Sequence, residues 1–349
     1  MFDIKKLIRE NVKNLQPYSS ARSEFKGSAD VFLDANENSY GAPVGGEYHR
    51  YPDPLQTKVK EKIFQIKGVP VQNIFLGNGS DEVIDLLYRA FCNPSKDNVI
   101  IVPPTYGMYE VSANINDVYV KKVALTNDFQ LDLDGISEVA DDLTKMIFIC
   151  SPNNPTGNSM NREDVEMILN NFGGIVVVDE AYINYSRQRS FISELTEYTN
   201  LVVLQTLSKA WGLAGVRIGM AFASEDIVEV LNKIKPPYNI GLPAQELAIK
   251  ALGTIEQINV WIKSTVVERD ALIKQLSTFH FVQRIYPSDA NFVLVNVKDA
   301  AGLYAFLVTQ GIIVRDRSKV ELCEGCIRIT IGTPDENNRL LNAFSQFKP

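Results

Sequence analysis

Between about residue 70 and residue 235, short apolar runs alternate along the chain with amphipathic segments. The runs, rich in Val, Ile and Leu, are typical of strands that are buried on both faces, and segments such as 81–91, 162–172 and 225–234 have helical spacing. The runs are, in order, NIFLG, NVIIVPP, VYVKKVAL, KMIFICSP, GIVVVDEAY, NLVVLQTLS and RIGMAFA. This alternation predicts a large α/β domain with a mostly parallel central sheet and helices on both faces.

The pattern changes after residue 235. A proline- and glycine-containing stretch at 236–243 breaks the alternation, and residues 244–278 are typical of long helix with one interruption near Gly253. The strand-like runs NFVLVNV, GIIVRD and CIRITIG follow, together with the helical segments AAGLYAFLVTQ and DENNRLLNAFSQF. This order predicts a second, smaller α+β domain. The N-terminal segment is too short to fold alone, and we expect it to pack against this later part.

The length supports a division into two domains. A chain of 349 residues exceeds what one ordinary core fills, because domains cluster at about 100–150 residues. We place the large domain at 40–238 and the smaller one, with an N-terminal arm, at 1–39 and 239–349. The hydrophobic fraction of 45% and the charged fraction of 22% are those of a soluble globular protein.

Charge and hydropathy exclude several classes of partner. The formal net charge of −7 and the lack of any basic run give no general attraction for phosphate backbones, so we expect no nucleic acid partner. No stretch reaches the roughly 18 apolar residues that a membrane span needs. The start, MFDIKKLIREN, lacks the apolar region of a signal peptide. We therefore expect a cytoplasmic protein without a membrane partner.

The cysteines and histidines do not predict a metal site. Cys323 and Cys326 form a CxxC pair, but a zinc site needs two further ligands. Cys92 and Cys150 lie in apolar contexts far away in sequence, and the chain has only two histidines. We expect the CxxC segment to be a turn that enters a strand.

Polar residues that end the apolar runs are the first candidates for a ligand site, because ligands of open α/β sheets bind beyond the carboxyl ends of the strands. The first run ends in GNGSDE, where Ser80 is placed to cap a helix that starts at Asp81. Gly77 and Gly79 allow a tight turn whose N–H groups, together with the helix dipole, favour a phosphate. A glycine-rich helix cap with no ligand is the alternative interpretation.

Another run ends in the pair Asp179–Glu180, which imitates the Walker B strand of nucleotide hydrolases. That interpretation requires a GxxxxGK[ST] loop, and the chain contains none. A different role for Asp179 is to hold a protonated ring nitrogen, because the paired charges favour each other.

The stretch TLSKAWGLAGVRIG at 206–219 contains a lysine that suits covalent chemistry. A desolvated lysine near other cations loses its proton readily, and the free amine forms a Schiff base with an aldehyde. Pyridoxal 5'-phosphate (PLP) needs such an amine, an acid opposite its ring nitrogen and a phosphate cradle. The sequence offers Lys209, Asp179 and a cradle made of Gly79–Ser80–Asp81 with Ser208 and Arg217.

These residues carry a family resemblance. Asp179-x-x-Tyr182, Ser208–Lys209 and Arg217, preceded by SPNNPTG at 151–157, resemble the fold-type I PLP-dependent aminotransferases, and among them the class II group. Further stretches resemble the histidinol-phosphate aminotransferases, and they spread over nearly the whole chain: LQPYSSAR, LDANENSYG, YPDP, GIIVRDR and CIRITIG.

The resemblance implies a role for each matching residue near the cofactor. Lys209 would hold PLP as a Schiff base and later carry a proton, and Asp179 would pair with the ring nitrogen. Asn154 and Tyr182 would bind the phenolate oxygen of the ring, and Tyr106 would stack on its face. The implied phosphate ligands are Gly79, Ser80, Asp81, Thr206, Ser208, Arg217 and Tyr51 from a second subunit. The last of these implies a homodimer.

The resemblance also implies the substrates. Arg328 would grip a carboxylate with two parallel hydrogen bonds, while Arg315 and Tyr18 would allow a phosphate monoester to occupy the same place. Asn36, in the ANEN motif, is a further implied substrate contact. The implied reaction transfers the amino group of histidinol phosphate to 2-oxoglutarate, giving imidazole acetol phosphate and glutamate in histidine biosynthesis.

Alternatives remain open at the level of sequence. A PLP decarboxylase of threonine phosphate shares this fold and its paired arginines, and an aromatic-amino-acid aminotransferase belongs to the same class. A PLP-sensing domain of a regulator would need an appended DNA-binding module, for which no segment is left. Retention of Lys209, Asp179 and Arg328 argues against a degenerate homologue without activity.

Overall fold

The computed structural model describes residues 2–18 and 29–348. The strands are β1 (Ile74–Asn78), β2 (Asn98–Ile101), β3 (Tyr119–Lys122), β4 (Thr144–Cys150), β5 (Ile175–Asp179), β6 (Leu201–Thr206), β7 (Ile218–Ala223), β8 (Val282–Ile285), β9 (Phe292–Val297), β10 (Arg315–Asp316) and β11 (Cys326–Thr330). The α-helices are α1 (Ile4–Leu7), α2 (Glu10–Lys13), α3 (Thr57–Lys67), α4 (Ser80–Phe91), α5 (Met108–Ile115), α6 (Leu133–Val139), α7 (Arg162–Asn171), α8 (Glu225–Ile234), α9 (Leu242–Leu252), α10 (Ile255–Leu276), α11 (Ala300–Thr309) and α12 (Pro334–Gln346). Short 3₁₀ turns lie at Val71–Asn73, Ile183–Tyr185, Phe191–Glu194 and Ala214–Val216.

The central sheet has the strand order β1-β7-β6-β5-β4-β2-β3. Its pairs are parallel except for those of β7, which runs antiparallel to both β1 and β6. Each of the seven apolar runs of the sequence coincides with one of these strands to within one residue or includes it. The expected mostly parallel central sheet is therefore confirmed.

The central sheet is covered on both faces, which explains why its strands are continuous apolar runs. Successive side chains of a strand point to opposite faces. Val176 and Val178 of β5 lie in one buried cluster with α9, whereas Ile175 and Val177 lie in the other with α4. Each face therefore has its own core, and the carboxyl edge of the sheet is left for polar residues.

A second sheet of four antiparallel strands has the order β10-β11-β9-β8. Side chains of β9 and β11 pack against α11 and α12 in a third buried cluster. The runs NFVLVNV and CIRITIG form β9 and β11 as expected. Only Arg315–Asp316 of the run GIIVRD forms a strand, and β8 was missed because VQRI has no alternation of buried and exposed positions.

The described N-terminal segment packs against the part of the molecule that contains the central sheet. Arg9 donates its backbone N–H to the carbonyl of Ala90 at 3.0 Å and its guanidinium to the carbonyl of Arg89 at 2.8 Å. Ile4 is buried among side chains of α4 and its neighbours. The expectation that this segment packs against the later part of the chain is therefore wrong for residues 2–13. The domain boundaries at 40–238, 1–39 and 239–349 stay a prediction.

Helix α10 joins the two parts of the molecule. Ile258, near its start, packs in a cluster of the central sheet, whereas Leu272 and Leu276 pack with the smaller sheet. Arg269 lies buried between these points and donates to the carbonyl of Ala290 at 2.8 Å. Within residues 2–18 and 29–348, no helix combines the length and apolar character needed to cross a membrane.

Candidate active site

A cavity of about 650 Å³ opens at the carboxyl edge of the central sheet and reaches the smaller sheet. The site residues expected from the sequence that line it are Ser80, Asp81, Tyr106, Asn154, Asp179, Tyr182, Thr206, Ser208, Lys209, Arg217, Arg315 and Arg328. They come from distant parts of the chain. Their convergence follows from the parallel strands, which end at a common edge.

Asp179 ends β5 at the floor of this cavity and is only 3% exposed. Its Oδ2 accepts a hydrogen bond from the hydroxyl of Tyr109 at 2.7 Å, and its Oδ1 accepts one from the N–H of Ala181 at 3.1 Å. Burial raises the pKa of Asp179 to about 6, and the Tyr109 hydrogen bond opposes this rise. Tyr109 was not predicted as a site residue, although it stands three residues after Tyr106 in the sequence.

Lys209 follows β6, and its Nζ lies 5.6 Å from the ring centre of Tyr182. Desolvation lowers the pKa of Lys209, and the nearby charge of Arg328 lowers it further. Asp179 acts in the opposite direction. The site therefore favours the neutral amine more than water does, which suits a lysine that forms a covalent bond to a carbonyl group.

The turn before α4 forms a cradle with the strand end at Arg217. Gly79 has a φ of 78° and occupies the N-cap, so the helix begins at Ser80. The expectation that Ser80 caps a helix starting at Asp81 is therefore wrong, because the chain turns one residue earlier. Gly79 donates to the carbonyl of Arg217 at 2.9 Å. A Cβ on Gly79 would lie 2.5 Å from Nη2 of Arg217, so the guanidinium would have to move. The φ of 78° with a ψ of 164° is itself a conformation essentially restricted to glycine.

Side chains around the cradle fix one another. The hydroxyl of Tyr106 donates to Oδ1 of Asp81 at 3.0 Å, and Nη2 of Arg217 lies 3.5 Å from the other oxygen of Asp81. Oγ1 of Thr206 accepts from the N–H of Ser208 at 3.0 Å and donates to a backbone carbonyl. Thr206 thus supports the cradle by fixing the backbone turn at Ser208. Free N–H groups at the start of α4 and the Arg217 guanidinium make the cradle suited to an anion.

The opposite end of the cavity carries arginines. Arg328 in β11 donates from Nη1 to Oδ1 of Asn154, and its guanidinium lies 5.1 Å from the ring centre of Phe292. Arg315 in β10 is the direct cross-strand partner of Arg328. The cavity also includes Arg317, for which no role was predicted although it stands two residues after Arg315 in GIIVRDR.

Four expected site residues do not line this cavity: Gly79, whose turn forms the cradle described above, and Tyr18, Asn36 and Tyr51. Tyr18 is 77% exposed and lines a separate cavity with residues such as Leu55 and Lys233. Asn36 lies in an exposed loop with a φ of 53°. Tyr51 is half exposed and stacks on Tyr238 with ring centres 4.6 Å apart. The structure does not bring these last three residues to Lys209 of their own chain. The rest of the quoted stretch LQPYSSAR, from residue 19, lies outside the described residues.

Glu180 points away from the cavity. Its carboxylate accepts from the N–H of Phe191 at 2.7 Å, from Nε2 of Gln205 at 2.9 Å and from the hydroxyl of Ser190. Asp179 and Glu180 are consecutive, so their side chains leave the chain on opposite sides. The pair therefore does not form one acidic site.

The CxxC segment is a buried turn. Cys323 and Cys326 are both buried, and the N–H of Cys326 donates to the carbonyl of Cys323 at 2.9 Å before β11 begins. The expected turn that enters a strand is confirmed. Within the part of the chain that the structure describes, His, Cys, Asp and Glu side chains form no group suited to a metal ion.

The residues meet each of the three requirements of PLP: an acid for the ring nitrogen, a phosphate cradle and a reactive amine. Asp179 is a buried carboxylate whose one side-chain hydrogen-bond partner among residues 2–18 and 29–348 is a neutral phenol, so it keeps a negative charge for a ring nitrogen. The cradle at Gly79 and Arg217 suits a phosphate, and Lys209, whose pKa is lowered, lines the same cavity. This fold, with these groups at the carboxyl edge of its sheet, defines a PLP-dependent enzyme of fold type I.

Comparison with known proteins gives the family. The model of the family aminotransferase class I and II matches residues 24–344 of this chain. The chain belongs to this family. The histidinol-phosphate aminotransferase of Parabacteroides distasonis is 55% identical over 348 residues, which cover 100% of both chains. The resemblance seen in the sequence is confirmed.

Solved structures agree with this assignment. The histidinol-phosphate aminotransferase of Clostridium acetobutylicum has a TM-score of 0.78 at 26% identity, over 86% of this chain and 90% of that one. The enzyme of the same name from Sinorhizobium meliloti, in complex with PLP, has a TM-score of 0.79 at 23% identity, over 89% of each chain. Because this identity is only 23%, the similarity to the Sinorhizobium meliloti structure shows the fold alone.

Proposed function

We propose that this protein transfers the amino group of histidinol phosphate to 2-oxoglutarate, giving imidazole acetol phosphate and glutamate in histidine biosynthesis. One observation carries the proposal: Arg315 and Arg328 face each other across β10 and β11 in the same cavity as Lys209. Two guanidinium groups beside the reactive lysine suit a substrate with an anionic group close to its amine. The relative from Parabacteroides distasonis, which matches this chain over its whole length, is named histidinol-phosphate aminotransferase.

PLP, when bound, supplies an electron sink that stabilises negative charge at the substrate carbon next to the amino group. Asp179 would hold the proton of the ring nitrogen, because its buried carboxylate lacks a cationic partner among the described residues. The cradle at Gly79, Ser80 and Arg217 would hold the phosphate. Asn154 and Tyr182, on the wall of the cavity, would contact the ring oxygen.

Lys209 would serve as the covalent anchor and as the base. Its Nζ must be unprotonated to take a proton from the substrate carbon, and the lowered pKa favours that form. The charge of Arg328 contributes to this effect, so the residue that binds the substrate anion also tunes the base. An anion on Arg328 would reduce that influence and make Lys209 a stronger base when substrate is bound.

The same arginines would serve both amino donors in turn. Glutamate carries an α-carboxylate where histidinol phosphate carries a phosphate ester on the neighbouring carbon. Arg328 is fixed by Asn154 and by the ring of Phe292, so its fork is preorganised for either anion. Arg315 is exposed and free to adjust to the larger group.

We also propose that the active unit is a homodimer in which Tyr51 reaches the cradle of the partner subunit. Tyr51 belongs to a segment that exposes large apolar side chains to an unusual degree: Val31, Leu33, Tyr40, Val44, Tyr48, Tyr51 and Leu55. A second copy that covered this surface would remove it from water. Tyr18 and Asn36 would join a site in the same way. We further propose that the large domain spans 40–238 and that the smaller domain consists of 1–39 and 239–349. We also propose that the protein is cytoplasmic.

A spectroscopic experiment tests the function. Holoenzyme is mixed with histidinol phosphate, and the absorbance of the bound cofactor is followed before and after addition of 2-oxoglutarate. We expect the band to change with the first substrate and to return with the second, with glutamate formed in equal amount. Threonine phosphate and phenylalanine are the comparison substrates. A band that ignores histidinol phosphate but responds to one of them would overturn the proposed substrate.

A further inference from the structure

Three guanidinium groups share one side of the substrate end of the cavity. Arg315 and Arg328 are directly opposite in an antiparallel pair, so their side chains leave the sheet on the same side. Arg317 stands two positions after Arg315, and its N–H continues the ladder by donating to the carbonyl of Cys326 at 2.8 Å. Residues i and i+2 of an extended chain point the same way. Like charges so arranged repel one another.

No carboxylate within the described residues forms an ion pair with any of these three arginines. Asp316 lies between Arg315 and Arg317 in sequence, but its Oδ1 accepts from the N–H of Ser318 at 2.8 Å and from the Ser318 hydroxyl at 2.6 Å. The nearest carboxylate in the chain is thus occupied by its own turn.

Two nitrogens of this group lack a partner. Nε of Arg317 and Nε of Arg328 are buried and make no hydrogen bond to the described residues. A buried charged donor without an acceptor costs more than the same donor in water. The protein therefore holds an excess of positive charge and unused donors at this end of the cavity, which a bound anion would offset.

The two substrates of the proposed reaction differ in charge at this place. A phosphate monoester carries about −1.5 to −2 charges near neutral pH, whereas a carboxylate carries one. Arg328 and Arg315 suffice for a carboxylate, which two parallel hydrogen bonds satisfy. We propose that Arg317 is a specificity-determining residue that supplies the additional positive charge for the dianionic phosphate ester. This inference rests on the proposed function.

Substitution of Arg317 separates the two half-reactions. Loss of one charge-assisted hydrogen bond costs about 1.5–3 kcal/mol, so Arg317→Gln should lower kcat/KM for histidinol phosphate by about 10- to 100-fold. The half-reaction with glutamate should change by less than about threefold, because its carboxylates do not require the added charge. Arg317→Lys keeps the charge and should recover most of the loss.

The pH profile gives a readout that a merely structural role would not move. The second pKa of a phosphate monoester is about 6, so the dianion forms as the pH rises through that value. A site that prefers the dianion should bind histidinol phosphate with a KM that falls over this range. In Arg317→Gln the fall should be flatter, while the profile with glutamate keeps its shape.

Lys319→Gln is the matched control. Lys319 is an exposed cation two residues further along the same loop, and it does not line the cavity. The substitution Lys319→Gln removes the same charge without touching the site. Both half-reactions should therefore stay within about twofold of the unmodified enzyme. Equal losses for both substrates in Arg317→Gln, or no loss with either, would overturn the role of Arg317.

Calorimetric titration of the holoenzyme with inorganic phosphate makes the test independent of turnover. Arg317→Gln should weaken phosphate binding by about tenfold, and Lys319→Gln should leave it unchanged. If the unmodified enzyme does not react with histidinol phosphate, the proposed function fails, but this titration still decides the inference. Phosphate binding that is equal in Arg317→Gln and in the unmodified holoenzyme would then overturn it.

Discussion

The hydroxyl of Tyr109 lies 2.7 Å from Oδ2 of Asp179, with both side chains buried. Tyr109 is held in place by stacking on Phe148, with ring centres 4.9 Å apart. A lysine or arginine in this position would neutralise the carboxylate. A phenol orients it and leaves its charge available, which is what a cationic ring nitrogen requires of its partner.

We expect Tyr109→Phe to weaken cofactor binding without changing the fold. The hydrogen bond stabilises the charged form of Asp179, so its loss raises the pKa of that carboxyl further above about 6. PLP affinity of the apoenzyme should fall by about tenfold near neutral pH, and the fall with acid should begin at higher pH. Fluorescence titration with PLP across the pH range measures both effects. Tyr119→Phe, at an exposed tyrosine, should bind PLP normally.

Asp179 should destabilise the apoenzyme at neutral pH. Its folded pKa of about 6 lies above the ordinary 3.8, so its favourable contribution is present below the ordinary value and is lost as the pH rises through about 6. The difference corresponds to about 3 kcal/mol at neutral pH. Asp179→Asn should therefore raise the free energy of unfolding of the apoenzyme by up to that amount while it weakens PLP binding.

Urea unfolding of the apoenzyme at several pH values checks this sign. The stabilisation by Asp179→Asn should shrink as the pH falls from about 6 towards 4, because the native carboxyl takes up its proton there. Asp128→Asn, at an exposed carboxylate, is the control and should show no such gain. An equal effect of Asp179→Asn at all pH values would contradict the prediction.

Gly79→Ala should damage the cradle through Arg217. The new Cβ would lie 2.5 Å from Nη2 of Arg217 and would displace its guanidinium, so PLP affinity should fall by at least about tenfold. Gly68→Ala is a suitable control because Gly68 has a similar φ of 71° but nothing within 4 Å of a Cβ. Gly68, with a φ of 71° and a ψ of 7°, is left-handed helical, so an alanine there costs about 1–2 kcal/mol. The φ of 78° and ψ of 164° of Gly79 are essentially restricted to glycine and cost more, and thermal unfolding measures both costs. Only Gly79→Ala should lose cofactor.

Lys209→Ala should leave a folded protein that cannot complete turnover. Loss of the base and anchor should lower kcat by at least about 10³-fold, within the range expected for a proton-transfer group. Mass spectrometry after borohydride reduction should find the cofactor attached to the unmodified enzyme and not to the variant. Lys263→Ala, at an exposed lysine of α10, should retain both attachment and activity. Normal turnover by Lys209→Ala would remove Lys209 from the mechanism.

The sequence alone was enough to locate most of the site, because the signals involved are local. Apolar runs mark strands, and the polar residue that ends each run stands at the edge where parallel strands end. Asp179 at the end of β5 and Lys209 after β6 were found in this way, and the motif around them indicated the family. Arg315 and Arg328 followed from the family resemblance of their strands.

Contacts between distant segments could not be read from the same signals. Tyr109 meets Asp179 because it packs on Phe148 of β4, the strand next to β5 in the sheet, and no local pattern specifies that strand order. Arg317 joins the arginines because β10 pairs with β11 and carries it to the same side. The N-terminal segment packs on α4 because Arg9 donates hydrogen bonds to backbone carbonyls at the end of that helix.

What the sequence by itself determined is thus the set of elements, the fold class and the reactive groups, since periodicity, turn residues and motif spacing are properties of the chain. Tertiary structure alone decided which groups meet, which charges stay unpaired and how far each pKa moves. Those properties depend on burial and on distances between residues far apart in the chain. The raised pKa of Asp179 illustrates the division, because the sequence supplies the carboxylate and the fold removes the water around it.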